Sequence, residues 1–94
     1  MGIEQVVGDR RAAVVRLAKR YGARNVRIFG SVARREATLA SDVDILVDAG
    51  RPGYDPLSLR PKLEALLGRR VDLVEEDALH WFMQPQIVGE AVPL

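Results

Sequence analysis

The feature that most constrains this chain is a pair of aspartates within an apolar segment, a short distance after a Gly-Ser dipeptide. Residues 42–48 alternate, with Val43, Ile45 and Val47 on one side and Asp42 and Asp44 on the other, as in a half-buried β-strand. Two carboxylates on one strand face lie roughly 7 Å apart at the backbone and repel each other when both are ionised. A bound cation would relieve that repulsion. The Asp-x-Asp pattern alone leaves two interpretations open, a metal site or an ordinary acidic strand.

The rest of the chain divides into helical and strand-like segments of ordinary length. We predict a helix over 9–21, a strand over 25–29, a brief helix over 31–37, a strand over 42–48, a helix over 58–67, a strand over 70–75 and a final helix over 77–90. Pro61 should be tolerated as part of a first turn, and Pro85 should kink the final helix. The order predicts one α/β (α+β) domain over residues 1–94, with few and short strands.

Gly30 and Ser31 follow the first predicted strand and open the helix after it. Backbone N–H groups at such a turn are available to an anion, and a residue without a Cβ lets a phosphate approach closely. The Ser31 hydroxyl could donate to a phosphate or cap the helix. The dipeptide alone would be an ordinary helix cap; it becomes a candidate phosphate site through its combination with Asp42 and Asp44.

Asp72 lies within the third apolar strand, between Val71 and Leu73. An unpaired buried carboxylate there would be costly, which indicates a function or a partner. If the third strand lies beside the second, Asp72 can project from the same face as Asp42 and Asp44 and serve as a metal ligand or general base. The alternative is an ion pair with Arg69 or Arg70.

Composition adds three limits. The 94 residues are 48% hydrophobic and 29% charged and contain no cysteine, so we expect a cytoplasmic protein without a membrane span, a disulfide or a thiolate metal site. The net charge of +1 conceals a basic half, residues 1–35, and an acidic half, residues 36–94. These halves are either two solvated faces or a phosphate-binding rim beside a metal-binding region.

The segment VRIFGSVARREATLASDVDILVD resembles the signature of the minimal nucleotidyltransferase (MNT) family, within the DNA polymerase beta-like nucleotidyltransferase superfamily. Gly30, Ser31, Asp42 and Asp44 match its GSx10DxD motif position by position. The segment RVDLV places Asp72 where the family carries its third carboxylate. The likeness extends over nearly the whole chain, including the final IVGEAVPL. It implies the nucleotidyltransferase fold, a small mixed β-sheet with helices.

The resemblance also implies an activity. Members transfer a nucleoside monophosphate, usually AMP from ATP, to a hydroxyl with the help of Mg²⁺ or Mn²⁺. Small members resemble antitoxins whose partner is a HEPN-type ribonuclease toxin, modified on a tyrosine, so we expect a hetero-oligomer with such a toxin. The residues carried over are Asp42, Asp44 and Asp72 for catalysis and metal binding, and Gly30, Ser31 and Arg34 for nucleotide phosphates.

One position departs from the family pattern. The family often has Ala-Arg-Gly after the Gly-Ser; Arg34 matches that arginine, but Arg35 stands where the glycine would be. If the backbone there needs a positive φ, a non-glycine residue is strained. Arg34 itself could bind phosphate oxygens or pair with a nearby carboxylate.

Two other functions compete with a toxin-modifying enzyme. One is nucleotide transfer to a small molecule such as an aminoglycoside, which so short a chain has little surface to enclose. The other is an antitoxin that neutralises its toxin by binding alone. A template-directed polymerase is disfavoured, because there is no extended basic stripe with aromatic residues to hold nucleic acid. We expect interface or surface roles for His80 and for part of the Trp81–Met83 segment.

Overall fold

The computed structural model describes residues 1–50, 52–79, 81 and 83–94. The elements are α1 (Ile3–Val6), α2 (Arg11–Arg20), β1 (Arg24–Phe29), α3 (Gly30–Ala33), β2 (Val43–Asp48), α4 (Pro56–Leu67), β3 (Val71–Glu75), α5 (Gln84–Glu90) and β4 (Val92–Pro93). Short 3-10 turns, Gly8–Arg10 and Glu76–Ala78, precede α2 and follow β3. The predicted helices and strands before residue 76 are present, and α1 and β4 were not predicted.

Four strands form one mixed sheet in the order β3-β2-β1-β4. Strands β1 and β2 pair antiparallel, and β4 adds to the other edge of β1, also antiparallel. The pair β2 and β3 is parallel, which requires a crossover connection, and α4 supplies it. The mixed sheet with helices confirms the predicted fold class.

The two faces of the sheet have different surroundings. Val43, Ile45 and Val47 of β2 join a buried apolar core, as their alternation predicted. The helical members of that core on α2 and α4 are Val14, Ala18, Leu59, Leu63 and Leu67. Since successive strand residues point to opposite faces, Asp44 and Asp48 lie on the face away from these helices. That second face is the one available for polar chemistry.

Within the described residues, no helix has both the length and the apolar character needed to cross a membrane.

The prediction that Pro61 lies in a first turn is wrong. Helix α4 begins at Pro56, with Asp55 as its N-cap, whose side chain accepts a hydrogen bond from the backbone N–H of Ser58 at 3.2 Å. Pro61 therefore lies inside the helix. The carbonyl that loses a helical N–H partner belongs to Leu57, which is 88% exposed, so water can solvate it at little cost.

The prediction of one kinked helix over 77–90 is also wrong. Pro85 lies in the first two positions of a separate helix, α5, where its missing N–H costs no hydrogen bond. The proline thus starts a helix instead of bending one. No described residue of α5 is buried. His80 and Phe82, two members of the predicted helix, lie outside the described residues, as does Arg51 of the predicted loop.

Arg27 is the one charged residue among the described part of the chain that is buried, at 6% exposure. Its guanidinium donates to Asp48 at 2.7 Å and to Glu76, and so ties β1 to the end of β2 and to the turn after β3. Asp48 is the last residue of β2 and part of this ion pair.

Replacing Arg27 should test how strongly this ion pair stabilises the sheet. Arg27→Met keeps the apolar stem but leaves two carboxylates without their cation, so we expect a loss of about 2–3 kcal/mol in the free energy of unfolding. Urea denaturation measures it. Arg24→Met, at the exposed start of the same strand, should cost less than about 0.5 kcal/mol. Equal losses for the two variants would contradict the assignment.

Candidate functional site

Gly30 packs directly against Asp44. Strand β1 ends at Phe29, which pairs with Asp44 in the antiparallel register, and α3 begins at the next residue. Gly30 has φ of 71°, and a Cβ on it would lie 2.0 Å from Oδ2 of Asp44. No other residue fits there without displacing the carboxylate. The start of α3 and the Asp44 side chain therefore form one compact unit.

The parallel pairing of β2 with β3 sets Asp72 opposite Asp44 in register. The expected neighbouring position of these two strands is thus confirmed. Asp72 is exposed, however, so the argument that it would be a costly buried carboxylate is wrong. The alternative pairing with arginine is not what the structure shows either. Arg70 pairs with Asp42 at 3.6 Å, and Arg69 donates to the carbonyls of Thr38 and Ser41.

Asp42 precedes β2 instead of belonging to it, and its side chain is 49% exposed. This position and the ion pair with Arg70 draw its carboxylate toward solvent. Among the described residues, the structure contains no group of three or more His, Cys, Asp or Glu side chains arranged to hold a metal ion. Asp44 and Asp72 meet in register, whereas Asp42 does not complete a preformed cluster with them.

Asp44 has the clearest electrostatic signature of the site. Its pKa is raised from 3.8 to about 6, first by burial and then by the neighbouring carboxylates of Asp72 and Asp42, while Arg34 acts in the opposite direction. A nearby cation stabilises the ionised form of a carboxyl group in such surroundings. The oxygen ligands of Asp44 and Asp72 are the hard donors that Mg²⁺ prefers, so the chemistry of the pair fits that ion.

The donors predicted to hold phosphate are bound by a carboxylate of the chain itself. The backbone N–H of Gly30 donates to Oε1 of Glu90 at 2.8 Å, and Nη1 of Arg34 donates to both Glu90 oxygens at 3.2 Å. Arg34 also donates from Nε to Glu36 at 3.1 Å. Ser31 follows Gly30 in α3 and is half-buried. Of the two alternatives for Arg34, the structure shows carboxylate pairing.

Glu90 is the site residue that sequence reasoning missed. It belongs to the IVGEAVPL segment, whose family likeness was the only available signal. It lies 60 residues from Gly30 along the chain and reaches the site only because α5 ends beside α3. No local pattern predicts such a contact.

Arg35 does occupy the strained position that the family pattern suggested. Its φ is 64°, in the left-handed region. The backbone N–H of Glu36 donates to the carbonyl of Ser31, and that of Arg35 to the carbonyl of Val32, which together form a Schellman motif that ends α3 early. The residue at the left-handed position of that motif is usually glycine. This termination explains why α3 is shorter than the predicted 31–37.

Three further features lie away from these carboxylates. Tyr54 packs against the apolar core. Trp81 is 79% exposed and Met83 is 46% exposed, and their interface role stays a prediction. On α2, the basic side chains Arg16, Lys19 and Arg20 line a surface depression of about 600 Å³. Of the basic half of the chain, Arg34 is the residue that reaches Glu90.

Residues 11–94 match the family model described as a nucleotidyltransferase domain. The chain belongs to that family of nucleotidyltransferases.

Among its relatives, the protein adenylyltransferase MntA of Thermococcus cleftensis is 44% identical over 78 residues, which are 81% of this chain and 79% of the relative. A candidate protein adenylyltransferase of Methanocaldococcus jannaschii is 32% identical over 88 residues, 92% of this chain and 95% of that protein. A solved structure of a candidate minimal nucleotidyltransferase superposes with a TM-score of 0.85 at 45% identity, over 100% of this chain and 97% of the other.

The fold is also shared with a chain of a crystallised toxin–antitoxin with AMP-PNP. That similarity has a TM-score of 0.75 at 23% identity and covers 88% of this chain and 70% of the other. At this level of identity it is a likeness of fold alone.

The backbone strain at position 35 can be measured with two truncations. Arg35→Gly and Arg35→Ala both remove the side chain, but alanine keeps the Cβ that disfavours a positive φ. We therefore expect the glycine variant to be more stable by about 1 kcal/mol in urea denaturation. At Arg20, in the right-handed last turn of α2, the order should reverse, with alanine more stable by roughly 0.5–1 kcal/mol. If the same one of the two variants, glycine or alanine, were the more stable at both positions, backbone strain at Arg35 would be contradicted.

The raised pKa of Asp44 predicts a pH-dependent stability. The folded state holds this proton more tightly than the unfolded state, so stability present below about pH 4 is lost as the pH rises through about 6. Asp44→Asn removes the charge. Its melting temperature should exceed that of the wild type at about pH 8, and the gain should vanish near pH 4.

Thermal denaturation of both proteins across this pH range checks the prediction. Asp9→Asn, at an exposed residue outside the site, is the control and should show no such pH-dependent gain. A gain for Asp44→Asn that is equal at both ends of the range would mean that asparagine stabilises through packing and not through loss of charge.

Proposed function

We propose that the protein is an Mg²⁺-dependent protein adenylyltransferase that acts as an antitoxin. It transfers AMP from ATP to a hydroxyl, a tyrosine, of a cognate HEPN-type ribonuclease toxin with which it assembles. The observation that carries the proposal is the contact of Gly30 with Asp44 beside Asp72, because it combines a close backbone approach with adjacent carboxylates. The adenylyltransferase names of the relatives support the same activity.

The proposed reaction is an in-line displacement at phosphorus. The toxin hydroxyl oxygen forms a bond to the α-phosphorus of ATP, the bond from that phosphorus to the bridging oxygen breaks, and pyrophosphate leaves. Asp72 accepts the hydroxyl proton, a role for which its exposure makes it accessible to a partner. The Gly30 N–H, the Ser31 hydroxyl and Arg34 bind the nucleotide phosphates and orient them.

Asp42, Asp44 and Asp72 would hold Mg²⁺. The ion supplies charge neutralisation for the phosphates and the carboxylates. The raised pKa of Asp44 supports this assignment, since the cost of its charge falls when a cation is near. Asp42 is half-exposed and held by a single ion pair to the exposed Arg70, so it can turn toward a shared ion without loss of buried contacts.

The openness of the site supports a macromolecular acceptor. Asp72 and Asp42 are exposed, so both carboxylates are accessible to the surface of a partner protein. Such exposure favours a macromolecular acceptor over an aminoglycoside-type small molecule, which is usually bound in an enclosed pocket.

Binding without catalysis is the second candidate. It is favoured by one observation, the absence of a preformed cluster of three acids within the described residues. In that case the protein would neutralise the toxin by covering it, and the carboxylates would not be needed.

One experiment separates these functions. The protein is incubated with ATP labelled at the α-phosphorus, Mg²⁺ and the protein encoded by the adjoining gene. We expect label on the partner, reduced to background in Asp42→Asn and Asp44→Asn and lowered about 10²–10⁴-fold in Asp72→Asn. Asp9→Asn is the matched control and should label at the wild-type rate. Mass spectrometry of the labelled partner identifies the modified side chain.

Three results would contradict the proposed function or a part of it. Full neutralisation of the toxin by Asp42→Asn and Asp44→Asn, with no label transferred by the wild type, would establish the binding-only function. Label found only on a small hydroxylated compound would overturn the antitoxin proposal. A labelled serine or threonine would retain the enzyme but correct the acceptor.

A further inference from the structure

The carboxylate of Glu90 binds two of the three groups that the proposed function assigns to nucleotide phosphate. It binds the backbone N–H of Gly30 with Oε1 and Nη1 of Arg34 with both oxygens. The Glu90 side chain is 22% exposed. Its bond to the Gly30 N–H is half-buried, whereas its pairing with Arg34 lies at the surface. A backbone N–H is a single donor. A phosphate oxygen can accept from it at full strength only after Glu90 has left.

Resting on the proposed function, we propose that Glu90 is an internal competitor of the nucleotide. Its carboxylate takes the place of a phosphate group at Gly30 and Arg34 until the nucleotide displaces it. The protein thereby keeps these donors satisfied and in position, and binds ATP more weakly than it would with the donors unoccupied.

Charge favours displacement over coexistence. Arg34 already faces two carboxylates, Glu90 and Glu36, and the adjacent Asp44 experiences further repulsion from Glu90. A triphosphate placed among these groups would add several negative charges. Departure of Glu90 removes one of the nearest ones, and Arg34 then exchanges a carboxylate for a phosphate with its hydrogen bonds preserved.

The attachment of α5 makes the departure mechanically simple. Glu90 is its last residue, and no described residue of this seven-residue helix is buried. The contact with Gly30 and Arg34 is therefore among the few specific links of the helix to the site. Releasing it requires a change of side-chain rotamer or a small shift of the helix end, and no rearrangement of the apolar core.

The test is the affinity for AMP-PNP with Mg²⁺, measured by titration calorimetry. Glu90→Gln keeps the side-chain shape but removes the charge that competes for Arg34. We expect its Kd to fall about 3- to 10-fold below that of the wild type. Glu36→Gln is the matched control, because Glu36 also pairs with Arg34 but is 65% exposed and does not bind the Gly30 N–H. Its Kd should change by less than about 2-fold.

A second variant guards against an effect of misfolding or of lost charge alone. Glu90→Asp keeps the charge but is one methylene shorter, so we expect its hydrogen bond to the Gly30 N–H to be weakened. It should also bind AMP-PNP more tightly than the wild type. In the wild type, an NMR titration with AMP-PNP should shift the Gly30 amide resonance and speed amide hydrogen exchange in α5.

Weaker nucleotide binding in Glu90→Gln and Glu90→Asp would overturn the proposal and make Glu90 a positioning residue for Arg34. Equal gains for Glu90→Gln and Glu36→Gln would also overturn it, since they would show a general charge effect. If the wild type binds AMP-PNP and labels its partner while either result is obtained, only the inference on Glu90 fails. If the wild type does neither, the proposed function fails with it.

Discussion

The contact between Gly30 and Asp44 is the constraint on which the rest of the site depends. The antiparallel register of β1 and β2 sets Phe29 against Asp44, so the first residue beyond β1 has to turn away over that carboxylate. Only a residue without a Cβ can do so. The parallel register of β2 and β3 then adds Asp72 on the other side of Asp44. Two strand pairings and one glycine thus bring the donors of α3 and two carboxylates together.

The two faces of the sheet have different roles, since one carries the apolar core and the other carries the candidate site. Helices α2 and α4 cover the face that carries Val43, Ile45 and Val47, and this core stabilises the strands whatever happens on the other side. The opposite face carries Asp44, whose half-burial raises its pKa at some cost to stability near neutral pH. A small domain can carry such a cost only because its strands are fixed by the core behind them.

Elements that depend mainly on neighbouring residues could be predicted from the sequence. Alternation revealed β2, the apolar stripe revealed α2, and the Gly-Ser turn revealed the start of α3. The positive φ at Arg35 was suggested by the glycine that the family often has there, and not by the adjacent residues. The proline errors have a common cause. Pro61 and Pro85 were assigned from an assumed helix start. Asp55-Pro56 is a local start signal for α4, and Pro85 is one for α5, so both errors were misreadings of local sequence.

The remaining features depend on distant parts of the chain, and Glu90 illustrates why this matters for function. Helix α3 has four residues, too few to be stable alone, so its ends are held from outside. Its first N–H is bound by Glu90, and its last turn is closed by the left-handed backbone at Arg35. An isolated segment 30–36 would therefore not present its donors in a fixed direction. The carboxylate that occupies these donors also holds them in position, and a phosphate that replaces it enters a site already arranged for an anion.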